Sequence, residues 1–87
     1  MKLSITSGAI EDLEAWSESS PKVLSRIIRL IAETMRNPRA GIGKPERLKH
    51  LSGEVWSRRI TDKDRLVYDI QPDMITVVAC RFHYDDH

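Results

Sequence analysis

VWSRRITDKDRLVYDIQPDMITVVACRFHY, running from Val55 to Tyr84, is the stretch that decides the fold. Apolar residues recur in it at every second position, the period of a half-buried strand, and polar or proline-bearing turns break it at Asp62–Asp64 and at Gln71-Pro72-Asp73. It therefore predicts strands over Val55–Thr61, Arg65–Ile70 and Met74–Tyr84. Connections this short join antiparallel neighbours. A further strand, Arg47–His50, is predicted before the Ser52-Gly53 turn.

Alternate side chains on a strand face opposite sides of its sheet. Even positions here include Trp56, Ile60, Leu66, Tyr68, Ile70, Val78, Cys80 and Phe82, which predicts an apolar face for helices to cover. Odd positions include Arg59, Arg65, Arg81 and His83, which predicts cations and an imidazole on the opposite face if no bulge changes the parity.

Upstream, the period lengthens. Lys2–Thr6 alternates as a short strand, and Ser7 or Gly8 is the expected cap of a helix ending near Glu18, with Ile10, Leu13 and Trp16 on its apolar stripe. Ser20-Pro21 then marks a second helix, because a serine cap accepts an orphan backbone N–H and a proline in the first turn loses no hydrogen bond. Val23, Ile27 and Ile31 recur every fourth residue along it. Pro38 closes it after Arg36, and Asn37–Pro45 is a loop with two prolines and two glycines. The expected architecture is α+β: two N-terminal helices on a mainly antiparallel sheet of four to five strands.

The 87 residues suffice for one small domain, residues 1–87. The lone Cys80 reads as a buried strand residue and fits a reducing compartment. No apolar run approaches the ~18 residues of a membrane span and no signal-peptide pattern opens the chain, so a soluble cytoplasmic protein is expected. The net charge of +1 conceals segregation: Arg36–Arg65 carries 9 Lys/Arg against 4 Asp/Glu, between flanks with 4 against 5 and 1 against 4. One positive face able to hold a polyanion follows.

GKPE (Gly43–Glu46), WSRRI (Trp56–Ile60), RLVY (Arg65–Tyr68) and RFHY (Arg81–Tyr84) carry groups suited to cutting a phosphodiester that contains its own nucleophile. RNA is such a substrate. Breaking it internally requires the 2′-oxygen to lose a proton, the phosphorus to bear extra negative charge and the 5′-oxygen to gain a proton. Glu46 suits the base, Arg65 with Arg59 the bidentate anion holder, and His83 the acid, since an imidazole of unperturbed pKa ~6.5 is partly protonated near neutrality. Lys44, Lys49, Arg58 and Arg59 are candidate RNA-binding cations, and Tyr84 could stack on a base or bond to phosphate. Each signal is weak alone: a terminal histidine is usually structural or exposed, and Arg58-Arg59 could form surface ion pairs. His50 and His87 with Asp85 and Asp86 make poor evidence for a metal site, and no cofactor is expected.

In order, GKPERLKH, LSG, WSRRITDKDRLVY and CRFHY resemble the YoeB/Txe toxins of the RelE/ParE superfamily along the whole chain. The resemblance implies a compact RelE-like, microbial-ribonuclease-like fold and a ribosome-dependent endoribonuclease that cuts mRNA in the A site. It implies a cognate YefM/Axe-type antitoxin and, in several relatives, a homodimer. Motif by motif, Glu46, Arg65, His83 and Tyr84 fall on the family's catalytic positions, and Lys49 and Arg59 on its basic substrate-facing ones. The competing readings are a ParE-like gyrase inhibitor, which has no use for the acid–base pair, and a non-catalytic RNA- or protein-binding module.

Overall fold

A computed structural model describes residues 1–82, so His83, Tyr84, Asp85, Asp86 and His87 lie outside the described residues. The order along the chain is β1 (Lys2–Ile5), α1 (Ser7–Ser19), α2 (Pro21–Arg36), β2 (Glu46–Arg47), β3 (Val55–Arg59), β4 (Arg65–Gln71) and β5 (Met74–Ala79). The strands form one sheet in the order β1-β5-β4-β3-β2. Every pairing is antiparallel except that of β1 with β5. This is the expected α+β architecture, with the parallel edge as its one departure from a pure meander.

The helices meet at a single residue. Ser20 donates its N–H to Trp16 O at 2.8 Å, ending α1, while its hydroxyl accepts the Val23 N–H at 3.3 Å, starting α2 with Pro21 in the first turn. The cap of α1 is Thr6, one residue earlier than expected. Its extended backbone ends β1, its Oγ1 accepts the Ala9 N–H at 3.1 Å, and the same hydroxyl donates to Val78 O at 3.0 Å. A threonine placed there serves helix and sheet together, which Ser7 or Gly8 cannot.

Ala9, Ile27, Leu30 and Ile31 from the helices pack against Ile60, Leu66, Tyr68, Ile75, Val77 and Cys80 from the sheet. Trp16 and Trp56 flank this core, as their place in the apolar pattern suggests. Parity holds from β3 to β4, where Trp56 faces Tyr68 and Arg58 faces Leu66. It reverses on β5, because Pro72 and Asp73 make a two-residue turn that pairs Ile70 with Ile75 and Tyr68 with Val77. One extra residue, Val78, then lies between the Tyr68–Val77 and Val67–Ala79 pairs. This bulge returns Cys80 to the core side.

Two even-face expectations are thereby corrected. Val78 is only half-buried. Phe82 lies beyond the end of β5, 64% exposed and in a left-handed conformation with φ +63°. Among the described residues no helix is long and apolar enough to cross a membrane.

Candidate functional site

Only one face of the sheet is covered by helices, and the register settles what the open face carries. Glu46 pairs with Ser57, so its side chain shares the side of Ser57, Arg59, Arg65 and Val67. Arg59 and Arg65 are direct cross-strand partners. From Glu46 to Arg65 is two strands across and two residues along, about 10 Å by about 7 Å at ordinary strand spacings. Val67 and Ser57, 1% and 9% exposed, floor this surface.

Beside Glu46 an open recess of about 510 Å³ is lined by Glu46, Arg47, Leu48, Lys49 and His50. Lys44, at φ +50°, follows Gly43 at φ +83°, and Gly43 O accepts the Arg59 N–H at 2.7 Å. That bond lays the GKPE segment along the end of β3. Glu46, Lys44, Lys49 and Arg59 are all exposed, and Arg65 is half-buried. Helix α2 braces the same strand end: Arg26 donates to Ile60 O at 2.8 Å and to Arg59 O at 3.1 Å.

Arg65 is held by the turn before it. Its Nη1 donates to Thr61 O at 2.8 Å, Asp64 O at 3.0 Å and Asp62 O at 3.4 Å. Among the described residues its Nε and Nη2 have no hydrogen-bond partner. One edge of the guanidinium is thus fixed by backbone while its fork can address an anion bidentately.

Arg58 does not belong to this surface and is corrected as an RNA-binding candidate. It is fully buried on the helix side, where Nε donates to Tyr68 Oη at 3.1 Å, Nη1 to Ile42 O at 3.0 Å, and Nη2 to Asn37 O at 2.5 Å and Ala40 O at 2.9 Å. Tyr68 Oη in turn donates to Pro38 O at 2.7 Å. Four hydrogen bonds, to Asn37, Pro38, Ala40 and Ile42, therefore fasten the loop between α2 and β2, the loop that delivers Lys44 and Glu46. Arg58 shapes the site without touching a ligand.

Of the other cations in the basic segment, Arg39 forks onto Glu54 at 2.6 and 2.9 Å and Arg36 lies 3.6 Å from Glu33. The Arg39 fork, helped by the Trp56 indole N–H at 3.1 Å, holds the Glu54 carboxyl down to about 2. Arg47 is exposed but pairs with Trp56, on the pleat side opposite Glu46, so the positive face reduces to Lys44, Lys49, Arg59 and Arg65, with Lys63 at its rim.

The expected acid His83 and the aromatic Tyr84 lie outside the described residues. The described residues just before them, Cys80 and Phe82, are held by three side chains. Asp12 Oδ2 accepts the Cys80 N–H at 3.0 Å and the Trp16 indole donates to Cys80 O at 2.7 Å, so α1 grips the end of β5 on both sides. Asp64 Oδ1 accepts the Phe82 N–H at 2.7 Å. The signal that could have found Asp12 is its place between Ala9 and Trp16 on the apolar stripe of α1, whereas Asp64 sits in a turn rich in such residues. Burial, with the Asp12 charge adding to it, pushes the Cys80 thiol up to about 12, so it stays protonated and unreactive. Among the described residues no three of His, Cys, Asp and Glu gather as a metal site would require.

Residues 5–84 match the profile of the YoeB-like toxin of bacterial type II toxin-antitoxin systems. A Streptomyces coelicolor protein named Toxin YoeB is 48% identical over 84 residues, 97% of this chain and 100% of that one. A solved YoeB/ParE toxin from Agrobacterium tumefaciens superposes with a TM-score of 0.90 at 41% identity, covering 97% of this chain and 100% of its own. A Staphylococcus aureus YoeB, solved as a dimer and in a heterotetrameric complex with YefM, is 35% identical over 97% of this chain and 98% of its own, with TM-scores of 0.86 and 0.83.

Proposed function

The chain belongs to the YoeB-like toxins of bacterial type II toxin–antitoxin systems, and from that premise we propose that it is a ribosome-dependent endoribonuclease cutting mRNA in the A site by acid–base transesterification. The observation that carries the reading is the β2–β3–β4 register, which puts Glu46, Arg59 and Arg65, from three separate motifs, on the side of the sheet away from the helices. Glu46 takes the 2′-hydroxyl proton as the 2′-oxygen attacks phosphorus. Arg65 and Arg59 bind the non-bridging oxygens as charge accumulates on them. His83 gives its proton to the departing 5′-oxygen, leaving a 2′,3′-cyclic phosphate, or a 3′-phosphate after its hydrolysis, and a 5′-hydroxyl. No step draws on a metal ion or cofactor. Lys44 and Lys49 hold the RNA backbone, and Tyr84 contacts the substrate beside His83.

Glu46 is exposed, and an exposed carboxylate needs its substrate delivered in line. A rigid mRNA-bearing ribosome supplies that orientation and explains why an open surface would serve as a catalytic site. Cleavage of mRNA on programmed ribosomes, with the 5′ ends mapped and the 3′ ends analysed, tests this. Loss of about 100-fold or more in Glu46→Gln, Arg65→Ala and His83→Gln is expected. Undiminished cutting by a Glu46→Gln, His83→Ala double variant would overturn it, and gyrase inhibition without cleavage would favour a ParE-like toxin.

The same reading extends to partners. A YefM-type antitoxin segment folding over Lys44, Lys49, Arg59 and Arg65 would block the RNA path, as suits a relative solved with YefM. A homodimer and a cytoplasmic location complete the proposal. Copurification with a co-expressed neighbouring gene product, and relief of growth arrest by it, is the expected outcome.

A further inference from the structure

The turn joining β3 to β4 is organised around one carboxylate. Asp64 Oδ2 accepts the Thr61 hydroxyl proton at 2.7 Å, while Thr61 Oγ1 accepts the backbone N–H groups of Lys63 at 3.2 Å and Asp64 at 3.0 Å. Folded this way, the turn aims the carbonyls of Thr61, Asp62 and Asp64 at the Arg65 guanidinium. The second oxygen of Asp64 leaves the turn and binds the Phe82 N–H at 2.7 Å, and the Arg65 N–H donates to Phe82 O at 3.1 Å.

Phe82 is thereby fastened at both its backbone polar groups in a left-handed conformation, φ +63°, that bulky residues seldom adopt. Ring packing does not explain the conformation, since Phe82 is 64% exposed and its ring carries the Arg81 guanidinium 4.8 Å from its centre. The backbone bonds do. A residue held off its preferred dihedrals beside reactive groups marks a place where direction matters.

We propose that Asp64 is a positioning residue for RNA cleavage: it fixes the first atoms of the segment bearing His83 against the same turn that fixes the Arg65 guanidinium. This rests on the ribonuclease reading above. Asp64 touches no RNA; it holds the Phe82 backbone, which leads in sequence to His83, against the turn that holds Arg65, and in a catalytic constellation a misplacement of about 1 Å costs about 100-fold in rate.

Single-turnover cleavage on programmed ribosomes, paired with amide exchange of Phe82 by NMR, tests the assignment. Asp64→Ala is expected to lower the rate constant about 10- to 100-fold while half-saturation moves no more than about twofold. Asp64→Asn, which keeps an oxygen for the Phe82 N–H, should recover to within about fivefold. Asp73→Ala, the same loss of charge in the exposed turn between β4 and β5, should match the parent. Phe82 exchange should accelerate about tenfold or more in Asp64→Ala, with Leu66 and Ile75 amides unchanged as proof of an intact core.

Parental rates in Asp64→Ala, a loss confined to half-saturation, or equal damage in Asp64→Asn would overturn the proposal. Should Asp64→Ala fail to fold, the parent protein still decides, because an unprotected Phe82 amide sinks the clamp. An inactive parent with that amide protected would instead refute the ribonuclease reading and leave the clamp standing.

Discussion

Arg58 and Arg59 are neighbours on β3 with opposite fates. Arg58 points to the helix-covered side, is 0% exposed, and distributes its donors over Tyr68 and three loop carbonyls, with its guanidinium 5.8 Å from the centre of the Tyr68 ring. Arg59 points to the open side and is exposed. The same side chain thus builds the scaffold on one face and stands exposed on the other. Pleat parity, not residue type, assigns the role. Among the described residues no carboxylate pairs with Arg58, so carbonyl dipoles and a phenol must stabilise its charge. Such an arrangement ties it to one loop conformation rather than to a mobile ion pair.

The largest way to break this comparison is to truncate each arginine in turn. Arg58→Ala should lower unfolding free energy by about 3–5 kcal/mol, because it strands the carbonyls of Asn37, Ala40 and Ile42 and the Tyr68 hydroxyl together. Arg59→Ala should change stability by less than about 0.5 kcal/mol yet impair mRNA cleavage. Urea denaturation of both variants checks the pair. Equal stability losses would erase the distinction between the faces. Arg58→Lys should recover little, since one ammonium cannot reproduce a fork that reaches four acceptors.

The contrast also explains what could be read from sequence. Ser20-Pro21, the fourfold spacing of Val23, Ile27 and Ile31, and the alternation through β3 and β4 are local signals, and each element stands where they indicate. Arg58 occupies an even position between Trp56 and Ile60, so the pattern that marks the core face already contained it. Its pairing with Arg59 in a basic dipeptide masks that signal, because a buried arginine depends on acceptors 16 to 21 residues away. The Val78 bulge and the face of Glu46 were not legible. Both depend on the register between strands, which loop packing fixes and composition does not encode. The Asp64–Phe82 bond spans 18 residues and escapes local reading for the same reason.

Gly43 is where the two faces meet, and it supplies the next test. A Cβ there would lie 2.9 Å from Leu30 Cδ2 and 3.1 Å from Arg58 Cβ, at a φ of +83° that favours glycine. Gly43→Ala should cost about 1–3 kcal/mol through overpacking and backbone strain. It should also lower cleavage, because the displaced loop carries Lys44 and Glu46. Thermal unfolding with a cleavage assay on the same preparation measures both. A destabilised protein with parental cleavage would show that loop and site are uncoupled. Tyr68→Phe should cost less, about 1–2 kcal/mol, since only the bonds to Pro38 O and from Arg58 are lost and the ring remains.

The smallest effect separates the faces by pH. Glu54, one-quarter exposed, is held down at about 2, chiefly by the Arg39 fork and secondarily by the Trp56 N–H. A carboxyl lowered in the folded state contributes stability that is complete above its unfolded pKa, about 4.3, and is lost as pH falls through its folded value. The stability difference between the parent and Glu54→Gln should therefore be constant from pH 7 to about 5 and shrink towards pH 2. It should also shrink in 1 M salt, because Arg39 is 54% exposed and screening reaches the pair. Arg58 behaves differently. Its partners are carbonyls and a phenol whose pKa burial raises further above 10, so nothing around it titrates in this range. The parent–Arg58→Ala difference should stay flat over the same pH and salt window. A titration there that tracked Glu54 would mean that the loop charges and the buried arginine act as one network.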